Sequence, residues 1–316
     1  MTWVLEPHSA QSRAVAHLWW WMLAVGGTIW LGVTIVMLVV IARRRTQARD
    51  GRVVYDTTAS PRTERIVASA TFGTVLILTG FLAFDFVVGR TLAAHPQRAL
   101  KIALTAHQWW WEAEYVNPDP SRSFVTANEI HIPVGERVQL ELRASDVIHS
   151  VWIPDLQGKR DLIPGYTSTL WIEADAPRVY QGRCAEFCGL QHANMSILVI
   201  AEPRDAFARW AAAQASAAAT PPDAAAQRGK RAFENGPCAT CHAIGGTSAY
   251  ATVGPNLTHF ASRRTVGAGV LPNTRGALEA WLISAPSLKP GVRMPTMTMY
   301  SGAQLRDIAA YLASLK

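Results

Sequence analysis

Charge is scarce in this sequence, and two stretches carry none. Only 17% of the 316 residues are charged, and no Asp, Glu, Lys or Arg occurs in residues 14–42 or 66–84. A helix rises 1.5 Å per residue, so about 20 apolar residues cross the hydrocarbon core of a bilayer. The first run exceeds that length and the second just reaches it. Two spans are therefore expected, at about 14–42 and 66–88. The first run lacks a small-residue cleavage site, and Arg43, Arg44 and Arg45 follow it rather than precede it, so it is read as retained rather than as a signal peptide. The low charge, with 12 Trp, argues against a nucleic-acid binder. Cysteine is also sparse. There are four, and an even number in an exported chain first suggests disulfides. No internal repeat is evident.

Trp19, Trp20 and Trp21, near the start of the first run, fit an interfacial aromatic belt. Between the runs lie seven Arg against three acids, a net +4 over residues 43–65. The positive-inside rule puts this loop in the cytoplasm and everything after about residue 91 outside it. Residues 1–91 thus read as a transmembrane hairpin. Residues 92–203 alternate apolar and polar positions in short runs such as RVQLELRA and MSILVIA, punctuated by Gly, Pro and Asp, as an all-β sandwich or Greek-key barrel does. Residues 204–223 are Ala-rich and broken by Pro221 and Pro222, which reads as a linker. Residues 224–316 read as helical.

Two short motifs carry chemistry. CAEFCGLQHANM places Cys184, Cys188, His192 and Met195 in one loop after a predicted strand. Thiolate, imidazole and thioether form a donor set suited to copper. His149, at a strand end in DVIHSVWIP, is the candidate for a second imidazole, and a main-chain carbonyl could complete the shell. Two Cys four apart could each bridge two metals, with one His on each; the bland alternative is a Cys184–Cys188 disulfide. CATCH at 238–242 is the C-x-x-C-H signature of covalent haem c, with Cys238 and Cys241 bonded to the porphyrin and His242 as iron ligand. A zinc site would need more Cys or His at metal spacing, and only His259 is near.

The stretch from His149 to Met195, the aromatic run AHQWWWEAEY and the preceding hairpin resemble subunit II of the haem-copper oxidases over roughly residues 15–203. The C-terminal segment resembles a class I cytochrome c fused behind it. The resemblance implies a two-helix transmembrane hairpin, an all-β cupredoxin-like Greek-key sandwich bearing a dinuclear CuA centre, and an all-α class I cytochrome c domain. It implies copper ligands His149, Cys184, Glu186 through its carbonyl, Cys188, His192 and Met195, with a magnesium shared with the catalytic subunit through the Glu186 side chain. It makes Trp109 the point at which electrons enter. It also compares Glu64 with a carboxylate at the mouth of a proton path, although a helix N-terminus explains Glu64 equally. Asp85 reads as interfacial. In KPGVRMPTMTMY, Met294 fits the second iron ligand best, with Met297 the alternative, and GPNL would set Pro255 against His242.

The implied function is the electron-accepting subunit of a respiratory, proton-translocating cytochrome c oxidase. Electrons would pass from external cytochrome c or another periplasmic donor through haem c and CuA to haem in subunit I, with subunit III as a further partner. The implied place is a bacterial inner (plasma) membrane, multi-pass, with both cofactor domains periplasmic. Alternatives are an electron-accepting subunit of a nitric or nitrous oxide reductase and a free-standing membrane electron carrier. Residues 92–203 carry a net −4 and residues 224–316 a net +7. The expectation is that the two domains attract through opposite fields and dock transiently near Asp146, Glu112 and Glu114.

Overall fold

The computed structural model describes residues 6–49, 60–92 and 99–316. It divides into two compact units, one of residues 13–95 and one of residues 1–12 with 96–316.

The first unit is a helical hairpin of α1 (Ala10–Arg49) and α2 (Pro61–Leu92). Leu18, Trp21 and Val25 of α1 share a cleft with Ile77, Phe81 and Phe84 of α2, each set spaced to lie on one helical face. Other large apolar side chains, among them Trp19, Trp30, Phe72 and Leu82, are exposed, as a lipid-facing surface is and a water-facing one rarely is. Both helices overrun the expected spans because backbone hydrogen bonding does not stop where hydrocarbon does. Arg43, Arg44 and Arg45 are helical, and α2 opens on Pro61, whose missing N–H is no loss in a first turn. Of the expected 43–65 loop, Arg52 lies outside the described residues, as do residues 93–98 at the start of the β domain.

The second unit holds the expected sandwich. One sheet contains β1 (Leu100–His107), β2 (Trp110–Val116), β3 (Phe124–Ala127), β5 (Val138–Ala144) and β8 (Ser168–Ile172), in the order β3-β2-β1-β5-β8. The other contains β4 (Glu129–Pro133), β6 (His149–Ile153), β7 (Gln157–Leu162), β9 (Arg178–Cys184) and β10 (Ser196–Glu202), in the order β4-β10-β9-β6-β7. Period-2 alternation decides which side chains fill the core. Trp111, Ala113 and Tyr115 of β2 point in, as do Val138, Leu140 and Leu142 of β5.

The segment read as a linker starts instead with a helix, α3 (Arg204–Gln214). Phe207 and Trp210, one helical turn apart, fold it back onto the sheet. Trp210 stacks on His131 at 3.9 Å between ring centroids and meets Tyr115 and Phe124 edge-on. Pro221 and Pro222 break the chain only after this anchor.

The C-terminal lobe packs α4 (Ala224–Glu234), α5 (Arg275–Leu288) and α6 (Gly302–Ser314) around Phe233, Leu282, Ile308 and Tyr311, with a two-strand ribbon β11 (Thr265–Val266) and β12 (Leu271–Pro272) at its edge. Arg228 of α4 makes a two-pronged contact with Asp307 of α6 at 2.8 and 2.9 Å. Sandwich and lobe belong to one compact unit rather than to two bodies on a tether.

The α4–α6 crossing depends on Gly229, where a Cβ would sit 1.9 Å from the Asp307 carbonyl oxygen. Gly229→Ala is expected to destabilise the lobe by about 1–3 kcal/mol, read as a lowered midpoint in thermal unfolding. At Gly276, where a Cβ meets nothing within 4 Å, the same change leaves the midpoint unchanged or higher. Equal effects at both positions would contradict this account of the crossing.

Candidate metal and haem centres

Sheet register builds the first centre. Val151 of β6 lies opposite Cys184 of β9, so His149, two residues earlier and on the same face, reaches the end of β9. Its Nδ1 stands 3.8 Å from Cys184 Sγ. The chain then loops from Cys184 to β10, anchored by hydrogen bonds from the Cys184 amide to the Met195 carbonyl and from the Ala185 amide to the Ser150 carbonyl. Gly189 within the loop has φ +113°, and a Cβ there would come within 3.1 Å of Gln108 and Trp109, so a side chain would be strained twice over.

The loop brings five of the six expected donors around two sulfurs. Cys184 Sγ and Cys188 Sγ are 3.7 Å apart and are not joined as a disulfide. His192 Nδ1 is 3.6 Å and Met195 Sδ 3.9 Å from Cys188 Sγ, while the Glu186 carbonyl is 3.2 Å from Cys184 Sγ. The sixth, His149, closes the Cys184 side. His149 and the Glu186 carbonyl adjoin Cys184, and His192 and Met195 adjoin Cys188. That fits two soft cations sharing two thiolates better than it fits one ion. His149, Cys184, Cys188 and Met195 are all buried. The hydrogen bond shared by the sulfurs holds Cys184 well below the usual thiol range, with burial opposing and His149 assisting. The same bond pushes Cys188 up.

Asp146 orients the imidazole. Its carboxylate lies 2.9 Å from His149 Nε2 and accepts from the Gln108 and Val147 amides, each at 2.7 Å. With Nε2–H donated to Asp146, Nδ1 keeps its lone pair for the sulfur side. The Glu186 side chain points outward and pairs with Lys159 at 3.5 Å.

The second centre lies in the C-terminal lobe. A turn at Pro237–Thr240 presents Cys238, Cys241 and His242 to a cavity of about 260 Å³. His242 Nδ1–H donates to the Pro255 carbonyl at 2.8 Å, which leaves Nε2 for a metal, and burial lowers the ring's pKa and keeps it neutral. The cavity fits a large apolar group with a charged edge. Phe233, Leu257, Phe260 and Trp281 line it, and Arg263, also lining it, has a buried Nε with no partner among the described residues. Met294, half-buried, and Met297, buried, both border the cavity, whereas Met299 is exposed and does not.

The same cavity reaches the sandwich, where Gln108, Trp109 and Trp110 wall it. Trp109 is buried. Its indole N–H donates to the Cys188 carbonyl at 2.9 Å, and the Gln108 side-chain Nε2–H donates to that oxygen at 2.7 Å. One tryptophan thus touches both centres.

The lobes meet through buried polar contacts rather than through opposed surface fields. Glu129 of the sandwich, buried, accepts from the Arg264 and Thr265 amides at 2.7 and 3.0 Å. Lys289, 1% exposed, donates to three carbonyls. Of the acids expected at a docking face, Asp146 borders the cavity but serves His149, and the contacts just described use neither Glu112 nor Glu114. Sequence reasoning missed Lys289 and Glu129, which are indistinguishable there from surface charges. Glu64 is exposed in the first turn of α2.

Two sequence families match. That described as cytochrome c oxidase subunit II, periplasmic domain, covers residues 116–202, and cytochrome c covers residues 226–316. A cytochrome c oxidase subunit 2 of Alkalihalophilus pseudofirmus is 34% identical over 99% of this chain and 90% of its own length. That of Bacillus sp. strain PS3 is 33% identical over 76% of this chain and 68% of its own. Among solved structures, the periplasmic domain of subunit II of cytochrome oxidase from Bradyrhizobium japonicum matches 38% of this chain and 95% of its own, with 29% identity and a TM-score of 0.35.

Asp146→Asn is expected to weaken copper binding at the two-cysteine site by about 10–100-fold, measured by chelator competition. The unfolding midpoint of the metal-free protein should stay close to wild type. Unchanged affinity would mean that His149 needs no such support.

Proposed function

This chain belongs to the cytochrome c oxidase subunit 2 family, and on that premise we propose that it delivers electrons from an external periplasmic donor, such as cytochrome c, to the oxidase's catalytic subunit. It is a membrane-anchored electron-transfer subunit of a haem-copper oxidase, with its cofactor domains outside the cytoplasm and subunit I as partner. The finer reading adds subunit III as a second partner and a bacterial inner membrane as the location. Similarity to oxidase subunits over nearly the whole chain favours oxygen reduction over the nitric oxide, nitrous oxide and free-carrier alternatives.

A dinuclear copper centre and a covalent haem c would each supply a reversible one-electron carrier. Cys184, Cys188, His149, His192, Met195 and the Glu186 carbonyl would together hold the coppers. Cys238, Cys241, His242 and Met294 would hold the haem, the two cysteines by thioether bonds to the porphyrin and the other two through its iron. A methionine ligand raises the potential, which suits electrons moving toward oxygen. Burial of the sulfurs keeps water out, and Asp146 fixes the imidazole before metal arrives. Fixed ligands limit reorganisation when an electron is exchanged. Trp109 would conduct between the centres. The Glu186 carboxylate would share a magnesium ion with subunit I, and Glu64 would serve a proton path.

One observation carries this reading: the carbonyl of Cys188 accepts a hydrogen bond from the same tryptophan that walls the haem cavity. In the oxidase complex purified from membranes, Cys184→Ser is expected to abolish the copper absorption and bring oxygen consumption to background, while an external reductant still reduces the haem. Oxygen consumption at the wild-type rate would overturn the proposal. The methionine assignment is separable in the same preparation. Met294→Ala should change the haem spectrum to one without sulfur ligation, and Met297→Ala should leave that ligation in place. The reverse pattern would assign Met297.

A further inference from the structure

The contact between the lobes has a feature that the two cofactor sites do not require. Lys289, just past the end of α5, is 1% exposed although its side chain ends in an ammonium. A buried charge is costly unless fully hydrogen-bonded, and here all three donors are used. Lys289 Nζ donates to the Trp109 carbonyl at 2.8 Å, the Asn194 carbonyl at 2.7 Å and the Gly267 carbonyl at 2.8 Å. Two of these acceptors belong to the sandwich and one to the lobe.

The acceptors occupy particular places. Asn194 immediately precedes Met195, the residue 3.9 Å from Cys188 Sγ. On the other side of Met195, the Ser196 amide donates to the Ala268 carbonyl of the lobe at 3.0 Å. Both neighbours of Met195 are thus tied to the lobe, Ser196 by the Gly267 to Gly269 loop directly and Asn194 through Lys289, which also holds the Gly267 carbonyl. That loop is shaped for close approach. Its three residues all have positive φ, including Ala268 at +61°, and a Cβ on Gly269 would lie 2.8 Å from Ser196 Cβ. Trp109, the third residue tied to Lys289, is the one whose indole meets Cys188. Glu129 adds the reverse arrangement, a sandwich carboxylate capping two lobe amides.

We propose that Lys289 is a positioning residue for transfer between the centres: it pins the 267–269 loop against the two neighbours of Met195 and fixes Trp109, so the lobe sits in one pose and buttresses the copper-binding loop. Burial pulls the ammonium's pKa down to about 7, while three carbonyl dipoles favour the charged form. The proposal rests on the copper and haem reading above, but it makes separate demands. Transfer should be indifferent to salt, because nothing has to find anything. The copper site should respond to a change made in the other lobe.

The test uses the full chain carrying copper and haem. Flash reduction of the haem, followed at the copper absorption band, gives the transfer rate in about 0.01 M and about 1 M salt, which span long and short screening lengths. Hydrogen exchange at the Ser196 amide reports the contact directly. The wild type is expected to transfer at the same rate in both salts with Ser196 protected. Lys289→Met keeps the length and removes the donors. It is expected to speed Ser196 exchange by about 10–100-fold, and to make transfer at least tenfold slower and salt-dependent, as a tethered encounter would be. Its copper EPR spectrum should shift while the copper content stays full.

An unprotected Ser196 amide or a salt-dependent rate in the wild type overturns the proposal without any variant. So does wild-type exchange and rate in Lys289→Met. If Lys289→Met does not fold, Lys289→Gln, which keeps one side-chain amide, should show the same changes in smaller measure, and wild-type behaviour there also overturns the proposal. A wild-type chain without copper absorption would instead count against the copper reading itself.

Discussion

Two sulfur atoms must stay close without bonding, and the rest of the extracytoplasmic unit is arranged around that constraint. Cys184 ends a strand and Cys188 begins the return, so their 3.7 Å separation is set by sheet register on one side and by loop anchoring on the other. The anchors are the Ser150 and Met195 carbonyls, the Gly189 turn, and the two side chains, Gln108 and Trp109, that grip the Cys188 carbonyl. If the loop relaxed into a cystine, the imidazoles and the thioether would lose their shared focus. Rigid ligands also keep the geometry nearly the same in both redox states, which fast electron exchange requires.

The second lobe continues the same logic. Opposite net charges on the two halves suggest a loose electrostatic partnership, yet what joins the halves is a buried carboxylate capped by two amides of the lobe and a buried ammonium that donates to two carbonyls of the sandwich and one of its own lobe. Buried ions of this kind add little net stability, since desolvation offsets most of the attraction, but they punish any pose that leaves them unpaired. A fixed orientation, rather than tight affinity, is what a cavity wall shared with Trp109 needs.

Much of this was legible in the sequence, for a physical reason. Copper and haem donors come in short motifs because one loop or one turn supplies most of them, so CAEFCGLQHANM and CATCH point to their chemistry before any fold is known. Residues 14–42 and 66–84 announce themselves because lipid tolerates no charge. His149 was within reach because strand ends converge in a sandwich. Lys289 and Glu129 were not, because a buried lysine and a surface lysine share a letter and differ only in what folds over them. The α3 helix was lost inside an Ala-rich stretch, since the value of Trp210 lies in His131, Tyr115 and Phe124, far away in sequence. Met294 and Met297 both reach the cavity, and a three-residue spacing cannot separate them.

Metal content and spin distribution of the purified chain test the central claim most directly. The account predicts two copper ions for each haem iron, four cysteines unavailable to thiol reagents, and an EPR spectrum in which one unpaired electron couples equally to two copper nuclei. A single copper with its electron on one nucleus, or a Cys184–Cys188 cystine in copper-free protein, would contradict it.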